Sequence, residues 1–353
     1  MQEMINEYVK NKKYREALDL PDELTEEYKL LAQGEYNVNY VFVHPSTGRQ
    51  LVFRVNCGSQ MHLTHQIDYE ANALRKIEES CRTPQLLYVD GSDEAPGNGI
   101  LVEEYFGGKH LDYRNPDQLR NAAQCLADIH SVNISGDDYV VGMPGRMDVY
   151  PLRLIAPENS YSAILDECEE MVKTYMESDL ALTDIKSRLR TLLDNAWVLA
   201  GRCDGARPYS CCINTELNSS NFIVGDTVRL VDWEKPLYGD PAQDLGHFLA
   251  PTTTFWKSDV ILTPEQTEEF IDEYIAAVDS RYDTTGLRER TLAFIPITCL
   301  RGITWCAMAM IEYKQSDTKL INESTRIKLE QYMSSDFITM IELLVNNALK
   351  RGR

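Results

Sequence analysis

Three polar side chains between positions 216 and 232 are of types that could do phosphate chemistry. Glu216 comes five residues before Asn221, and the apolar run Val228-Arg-Leu-Val then leads to Asp232. A loop with an acid and an amide, followed by a short hairpin that delivers a second acid, would bring these oxygen atoms together. Small clusters of oxygen ligands suit Mg2+, which also binds nucleotide phosphates. The same residue types serve phosphoryl transfer, where one acid receives the substrate proton and an amide and another acid hold the metal.

The stretch around these residues resembles the aminoglycoside phosphotransferase and choline kinase superfamily. The usual pattern there is His-Gly-Asp-Leu-His/Asn-x-x-Asn, then Ile-Asp-Trp/Tyr-Glu, then Gly-Asp-Pro-x-x-Asp-Leu. The second block is similar to Val-Asp-Trp-Glu at residues 231–234, and the third matches Gly-Asp-Pro-Ala-Gln-Asp-Leu at residues 239–245. The first block departs twice, because Asn214 stands at the His position and Glu216 at the catalytic Asp position.

The resemblance implies an ATP- and Mg2+-dependent phosphotransferase that acts on a hydroxyl of a small molecule, of the amino alcohol or amino sugar (aminoglycoside) class. Its implied catalytic residues are Glu216, which orients or deprotonates the hydroxyl, and Asn221 and Asp232, which hold Mg2+. Asp240 and Asp244 of the third block are expected to be structural, capping a helix and tying the loop.

A nucleotide-binding pseudokinase or regulatory module is the alternative. Glu in place of Asp lengthens the acid by about 1.5 Å, and a misplacement of about 1 Å at such a site can cost about 100-fold in rate. However, Asn221 and Asp232 are intact, and a degenerate binder would be expected to lose them at least as readily. Asn214 also keeps a donor and an acceptor for holding the loop. These observations favour an active enzyme.

An arginine in an apolar strand marks a second part of the predicted site. Arg54 lies in the strand pattern of residues 50–55, where burying it would be costly without an anionic partner. Glu70, in the helical pattern of residues 67–77, is the candidate carboxylate. A buried structural ion pair explains the two residues as well as a nucleotide site does. The resemblance implies that the pair positions the phosphates of ATP.

Further site residues are implied by the resemblance alone. The complete nucleotide-binding set is Gly34, Asn37, Arg54, Glu70, Glu103 and Tyr105. A single glycine before a strand is more often only a turn. Glu234 and Trp305 are the implied substrate contacts, with the Trp305 ring facing an amine through its π cloud. A core position is the more common role of such an aromatic residue. His130, at the end of a predicted helix, is expected to have a packing role or to interact with the helix dipole, and not to be catalytic.

The chain divides into a strand-rich part and a helix-rich part. Strand patterns lie at residues 36–43, 50–55, 85–90 and 99–105, and residues 1–30 are consistent with surface helices. After Phe106-Gly-Gly the pattern turns helical. Capping signals at Asn115 and Thr263 each begin a helix, and residues 160–200 and 290–350 are further helical stretches. We therefore predict an α+β, two-lobed protein-kinase-like fold. Residues 1–106 form a small antiparallel β N-lobe with one helix and a helical N-terminal extension, and residues 107–353 form a mainly α C-lobe.

Composition restricts the function further. The 353 residues carry 35 basic and 55 acidic side chains, for a net charge of −20. Nucleic acid and anionic membranes bind basic surfaces, so neither partner is expected. The acidity would attract a cationic substrate, or it serves solubility alone. Nine dispersed cysteines and an N-terminus without a signal-peptide pattern favour a reduced, cytoplasmic protein. No run is expected to be long enough to cross a bilayer, and the oligomeric state is left open.

Overall fold

The computed structural model describes residues 1–143, 152–203, 209–315 and 323–351. Its N-terminal elements are two short helices, a five-stranded sheet and one longer helix. They are α1 (Gln2–Tyr8), α2 (Lys12–Ala17), β1 (Lys29–Gln33), β2 (Asn37–Val43), β3 (Gln50–Asn56), α3 (Gln66–Ile77), β4 (Leu86–Asp90) and β5 (Ile100–Glu104). The strands lie in the order β1-β2-β3-β5-β4, and each neighbouring pair is antiparallel.

Alternation along β3 gives the sheet two different faces. Phe53 packs among the N-terminal helices, where its ring meets Tyr14 edge-on at a centroid distance of 5.9 Å. Arg54 points to the opposite face and pairs with Glu70 on α3. The helices α1 and α2 therefore cover the outer face of the sheet, and the inner face is left for the candidate site.

The edge strand β1 differs from the sequence-based expectation, which has surface helices over residues 1–30 and no strand before residue 36. β1 pairs with β2, with Lys29 opposite Val41. All five of its residues are exposed. An exposed edge has no alternation of buried and exposed positions, which is the signal that separates a strand from a helix.

The C-terminal elements are mainly helices, with short strands around the candidate site. They are β6 (Lys109–His110), α4 (Pro116–His130), β7 (Tyr139–Val141), β8 (Leu154–Ala156), α5 (Ser160–Glu177), α6 (Thr183–Cys203), β9 (Cys211–Ile213), β10 (Phe222–Val224), β11 (Val228–Leu230), β12 (Leu237–Gly239), α7 (Pro241–Leu249), α8 (Pro251–Ser258), α9 (Pro264–Ala277), α10 (Leu287–Gln315), α11 (Glu323–Tyr332) and α12 (Ser335–Arg351). The fold is thus α+β, as predicted.

The predicted helix starts are confirmed by their capping contacts. The Asn115 side chain accepts hydrogen bonds from the N–H groups of Asp117 and Gln118 at the start of α4. Thr263 and Gln266 form a reciprocal capping box at the start of α9. These contacts satisfy backbone donors that the first helical turn leaves free.

The longest helix, α10, runs through the core of the helical part. Among the described residues it is the one helix whose length and apolar composition would suffice to cross a membrane. The expectation that no run reaches that length is therefore wrong. However, 72% of its apolar 18-residue window is buried inside the protein. A core helix passes the same test, so length and composition alone are weak evidence for a span.

The region between the two parts contains the predicted boundary. β5 ends at Glu104, and the next strand, β6, pairs with β10 of the C-terminal part. The boundary near residue 106 stays a prediction. The helical stretch predicted for residues 290–350 includes residues 316–322, which lie outside the described ranges.

Candidate active site

The loop that carries Glu216 is held by a buried carboxylate behind it. Asp244, in the first turn of α7, accepts hydrogen bonds from the backbone N–H groups of Asn214 at 2.8 Å and Thr215 at 2.7 Å. Its Oδ2 also lies 3.3 Å from Nε2 of His130, at the end of α4. Thr215 has a φ of 70°, which residues other than glycine rarely adopt. Asp244 therefore holds the loop in a shape that its backbone would not favour alone.

Asn214 uses both ends of its amide to hold the same loop. Its Nδ2 donates to the carbonyl oxygen of Asp232 at 2.9 Å, and its Oδ1 accepts from the N–H of Glu216 at 3.1 Å. The neutral side chain thus connects the loop to the segment with the second acid. This departure from the family pattern leaves the loop anchored.

Asp240 has the predicted capping role. Its Oδ1 accepts a hydrogen bond from the N–H of Ala242 at 3.0 Å at the start of α7. Its Oδ2 accepts from Nε of Arg290 at 2.6 Å. The cap fixes the helix from which Asp244 reaches the loop.

We expect Asp244→Asn to destabilise the protein by about 2 kcal/mol, because the new NH2 group would face a buried backbone donor and leave it unsatisfied. Urea unfolding followed by circular dichroism measures this loss. Asp283→Asn is a matched control, since Asp283 also accepts a backbone N–H, from Thr285, but is exposed. Equal stability of the two variants would contradict the anchoring role of Asp244.

Asn221 and Asp232, the predicted metal ligands, lie side by side. Asn221 Nδ2 lies 3.3 Å from Asp232 Oδ2. Asn221 Oδ1 is buried and has no hydrogen-bond partner among the described residues, so this atom would gain from a cation. The described ranges contain no group of three or more His, Cys, Asp or Glu side chains that could hold a metal. One carboxylate and one amide nevertheless fit Mg2+, which keeps several waters and binds phosphates.

Arg54 lies among several carboxylates. Its Nη1 donates to Glu70 Oε2 at 3.0 Å, and its Nη2 lies 3.6 Å from both Glu103 Oε1 and Asp232 Oδ1. Burial raises the pKa of Glu70 and of Glu103, and the charge of Arg54 opposes that rise. The acids near Arg54 outnumber it, and a divalent cation bound beside them would favour their ionised forms.

Two predicted nucleotide-binding residues lie where β1 turns into β2: Gly34 is in the turn, and Asn37 is the first residue of β2. Gly34 donates its N–H to the Asn37 carbonyl oxygen at 2.9 Å, and an added Cβ would find ordinary space. Asn37 Nδ2 donates to Glu234 Oε1 at 2.5 Å, and its Oδ1 accepts from Asn56 at 3.1 Å. The sheet is thereby joined to the segment after Asp232. The roles of these residues toward nucleotide stay predictions, as does that of Tyr105, which is half-buried just after β5.

The Glu216 carboxylate is held by two side chains that are distant in sequence. Its Oε1 accepts hydrogen bonds from Arg301 Nη2 at 2.8 Å and from Gln60 Nε2 at 3.2 Å. Burial favours the neutral acid, but the charges of Arg301 and Lys235 outweigh burial and lower the pKa of Glu216 to about 2. Glu216 is therefore ionised near neutral pH, and 29% of its side chain is exposed. It can accept a hydrogen bond from a hydroxyl but is a weak base.

A cavity opens beside Glu216. It has a volume of about 370 Å³, and Arg301 and the aromatic side chains of Trp256, Trp305 and Tyr332 border it. Trp305 is 38% exposed and meets Trp256 edge-on at 5.7 Å. It therefore lies at the cavity surface and not in the core, which is the more common position of such a residue. The other implied substrate contact, at position 234, does not border this cavity.

Comparison with known proteins gives the family. The profile of the phosphotransferase enzyme family matches residues 27–290, well over half of the chain. The chain belongs to this family. Among curated proteins, no sequence matches significantly. The membership confirms the prediction of a small-molecule phosphotransferase.

Solved structures of other phosphotransferases and kinases share the fold at low sequence identity. An ethanolamine kinase of Plasmodium vivax has a TM-score of 0.60 at 15% identity, over 89% of this chain and 83% of that one. Spectinomycin phosphotransferase, in complex with ADP and spectinomycin, has a TM-score of 0.58 at 9% identity, over 91% and 93%. Choline kinase from Cryptosporidium parvum has a TM-score of 0.58 at 13% identity, over 98% of both chains. The two-lobed protein-kinase-like fold is thereby confirmed.

Sequence reasoning in terms of the phosphotransferase pattern missed the partners of Glu216. One signal was available, because Arg301 is the only charged residue between positions 291 and 311. A lone charge in an apolar helix needs an anionic partner, which is the argument that identified Arg54. Gln60 had no such signal, since it lies in a polar loop far from Glu216 in the sequence.

Proposed function

We propose that this protein transfers the γ-phosphate of ATP, with Mg2+ as cofactor, to a hydroxyl of a small cationic molecule. The supporting observation is the arrangement of three side chains. Ionised Glu216 borders the cavity, while Asn221 presents beside Asp232 an oxygen that has no hydrogen-bond partner in the described part of the chain. A hydrogen-bond acceptor for the substrate hydroxyl is thus combined with ligands for a metal, which resembles the division of roles in phosphoryl transfer.

Each side chain has a separate role in this proposal. Asn221 and Asp232 would hold Mg2+, which supplies positive charge to the transferring phosphate when bound. Arg54, fixed by Glu70 at 3.0 Å, would pair with the ATP phosphates from the sheet side. Glu216 would accept the hydrogen bond of the substrate hydroxyl and orient its oxygen. Because the pKa of Glu216 is about 2, orientation is its main contribution.

Amino alcohols and amino sugars are the proposed substrate class. The net charge of −20 would attract cations, and the Trp256 and Trp305 rings could face a protonated amine. An adjoining cavity of about 250 Å³ is bordered by Asp166 and Glu170. Lys257 borders the first cavity, so we expect the amine to bind away from it. Two of the fold neighbours are named as an ethanolamine kinase and a spectinomycin phosphotransferase.

A transfer assay tests the proposal. The purified protein is incubated with Mg2+, ATP labelled in its γ-phosphate, and a panel of amino alcohols, amino sugars and neutral sugars, and labelled products are separated from ATP. Transfer to a cationic acceptor supports the proposal. Transfer to neutral acceptors alone would overturn the cationic class. Binding of ATP with Mg2+ but no transfer to any acceptor would favour the pseudokinase alternative.

We expect Trp305→Ala to raise KM for a cationic acceptor by about 10-fold with a smaller change in kcat, since a cation–π contact contributes about 0.5–2 kcal/mol. Trp305→Phe should retain part of the effect. Steady-state kinetics with a cationic acceptor and a neutral analogue of the same shape measure it. An equal rise in KM for both acceptors would show that Trp305 contributes shape and not charge recognition.

We further propose that the protein works in the cytoplasm, without nucleic acid or membrane partners. All nine cysteines lie in described ranges and are free, as is usual in a reducing compartment. The net charge of −20 disfavours anionic surfaces. Cell fractionation with an antibody to the protein tests the location.

A further inference from the structure

A closed ring of contacts surrounds the Glu216 loop. Arg301 donates from Nη2 to Glu216 Oε1 at 2.8 Å and from Nε to Glu167 Oε2 at 2.8 Å. Lys235 Nζ donates to the other oxygen of Glu167 at 2.9 Å. The ring closes where Thr215, next to Glu216, donates from its hydroxyl to the carbonyl oxygen of Lys235 at 2.8 Å.

The position of the Arg301 guanidinium is fixed by its hydrogen bond to Glu167 and by the packing of its own helix. Glu167 lies on α5 and Arg301 on α10, and α10 packs tightly against its other neighbours. Next to Arg301, a Cβ added at Gly302 would come within 2.9 Å of Thr252 Cβ on α8. On α7, a Cβ at Gly246 would overlap α10. Such close packing leaves α10 little freedom to shift, so the guanidinium is a fixed point in front of the loop.

We propose that Arg301 is a positioning residue for the Glu216 carboxylate, and that it compensates for the Glu that replaces the usual Asp. This inference rests on the proposed kinase function. An Asp at position 216 would withdraw the carboxylate by about 1.5 Å, beyond hydrogen-bond reach of Arg301. The longer acid and the fixed guanidinium therefore form one unit, in which the acid's position is set by α10 as well as by its own loop.

The charges around Glu216 support this unit. The charged and titratable groups that act on it are Arg301, Lys235, His247, Glu234 and Tyr36. Burial alone would raise the pKa of Glu216, and the cations outweigh it. Because the folded pKa lies below its ordinary value of 4.5, the carboxylate stays ionised as pH falls until about 2. Without the charge of Arg301, mainly Lys235 would oppose the effect of burial, so the pKa of Glu216 must rise.

Two substitutions of Arg301 distinguish its effect on the position of the Glu216 carboxylate from the effect of its charge. We expect Arg301→Gln to lower kcat by about 10- to 100-fold, the range for displacing a catalytic group by up to about 1 Å, and to move the acidic limb of the kcat–pH profile upward. Arg301→Lys keeps the charge but loses the planar fork that bridges two acids, so kcat should fall while the acidic limb stays low. Affinity for ATP with Mg2+ should remain near that of the parent in both variants.

Arg188→Gln is the matched control. Arg188 likewise donates to carboxylate oxygens from two of its nitrogens, although both oxygens belong to Glu342, and its side chain is 21% exposed, as is that of Arg301. It lies on α6, away from the cavity. We expect parental kcat and pH profile in this variant. A rise in KM with unchanged kcat and pH profile in Arg301→Gln would overturn the positioning role and make Arg301 a substrate contact.

A spectroscopic measurement tests the inference even if no substrate is phosphorylated. Protein with 13C at the glutamate carboxyls is titrated by NMR, and the Glu216 resonance is identified by its loss in Glu216→Gln. We expect no titration of Glu216 above about pH 3 in the parent and in Arg188→Gln, and titration at higher pH in Arg301→Gln. An unmoved Glu216 titration in Arg301→Gln would overturn the inference. Absence of transfer by the parent would instead count against the proposed function.

Discussion

Asp232→Asn is expected to lower the affinity for ATP in the presence of Mg2+ by at least about 100-fold, while ATP binding without metal changes little. Substitutions one shell further from a metal already cost 10- to 100-fold in affinity, so loss of a direct charged ligand should cost at least as much. Asn is the better substitution because Asp232 has a φ of 69°, which Asn tolerates and Ala does not. The Asn side chain also preserves the shape of the site.

Isothermal titration calorimetry with and without Mg2+ measures this effect. Asp226→Asn, in the exposed turn between β10 and β11, controls for the loss of one acidic charge from the same hairpin. Unchanged affinity in Asp232→Asn would remove Asp232 from the metal site. Asp232 also lies 3.6 Å from Arg54, so a drop in metal-free ATP affinity would indicate that the variant also displaces the guanidinium.

The local parts of the site could be predicted because each has a short sequence signal. Asn221 and Asp232 flank one hairpin, and the structure brings them to 3.3 Å. Arg54 and Glu70 lie on adjacent elements, and the cost of an unpaired buried charge identifies both. In each case few residues separate the partners, and a strand or helix period shows which way the side chains point.

The distant parts could not be predicted, because their contacts depend on how helices pack. Arg301 reaches Glu216 across 85 positions of sequence, and Gln60 reaches it across 156. The hydrophobic periodicity of the two helices does not indicate that α10 packs against α7 at Gly246. The position of Trp305 could not be predicted for the same reason. The apolar composition of its helix, α10, indicates a core residue, but Trp305 lies on the wall of a cavity.

Glu216→Gln is expected to lower kcat by about 100-fold or more, the range for misplacing a reacting group by about 1 Å, with little change in affinity for ATP and Mg2+. The amide keeps the length of the side chain but removes the charge that Arg301 holds at 2.8 Å. Its NH2 group could not accept the hydrogen bond of a substrate hydroxyl. Single-turnover transfer of labelled phosphate measures the chemical step apart from product release. An unchanged kcat would exclude Glu216 from the reaction.

Glu216→Asp distinguishes a site built for the longer acid from a degenerate one. If Arg301 and Gln60 are placed to receive a glutamate, the aspartate that is usual in the family should be the worse residue here. Its carboxylate would retreat by about 1.5 Å from both donors, and a displacement of that size is enough to cost about 100-fold in rate. Arg301 would then keep Glu167 as its partner at 2.8 Å and leave the aspartate without its cation. A Glu216→Asp variant that gained phosphate transfer over an inactive parent would reverse this conclusion, since the loop would then be shaped for the shorter acid and the chain would be a degenerate kinase.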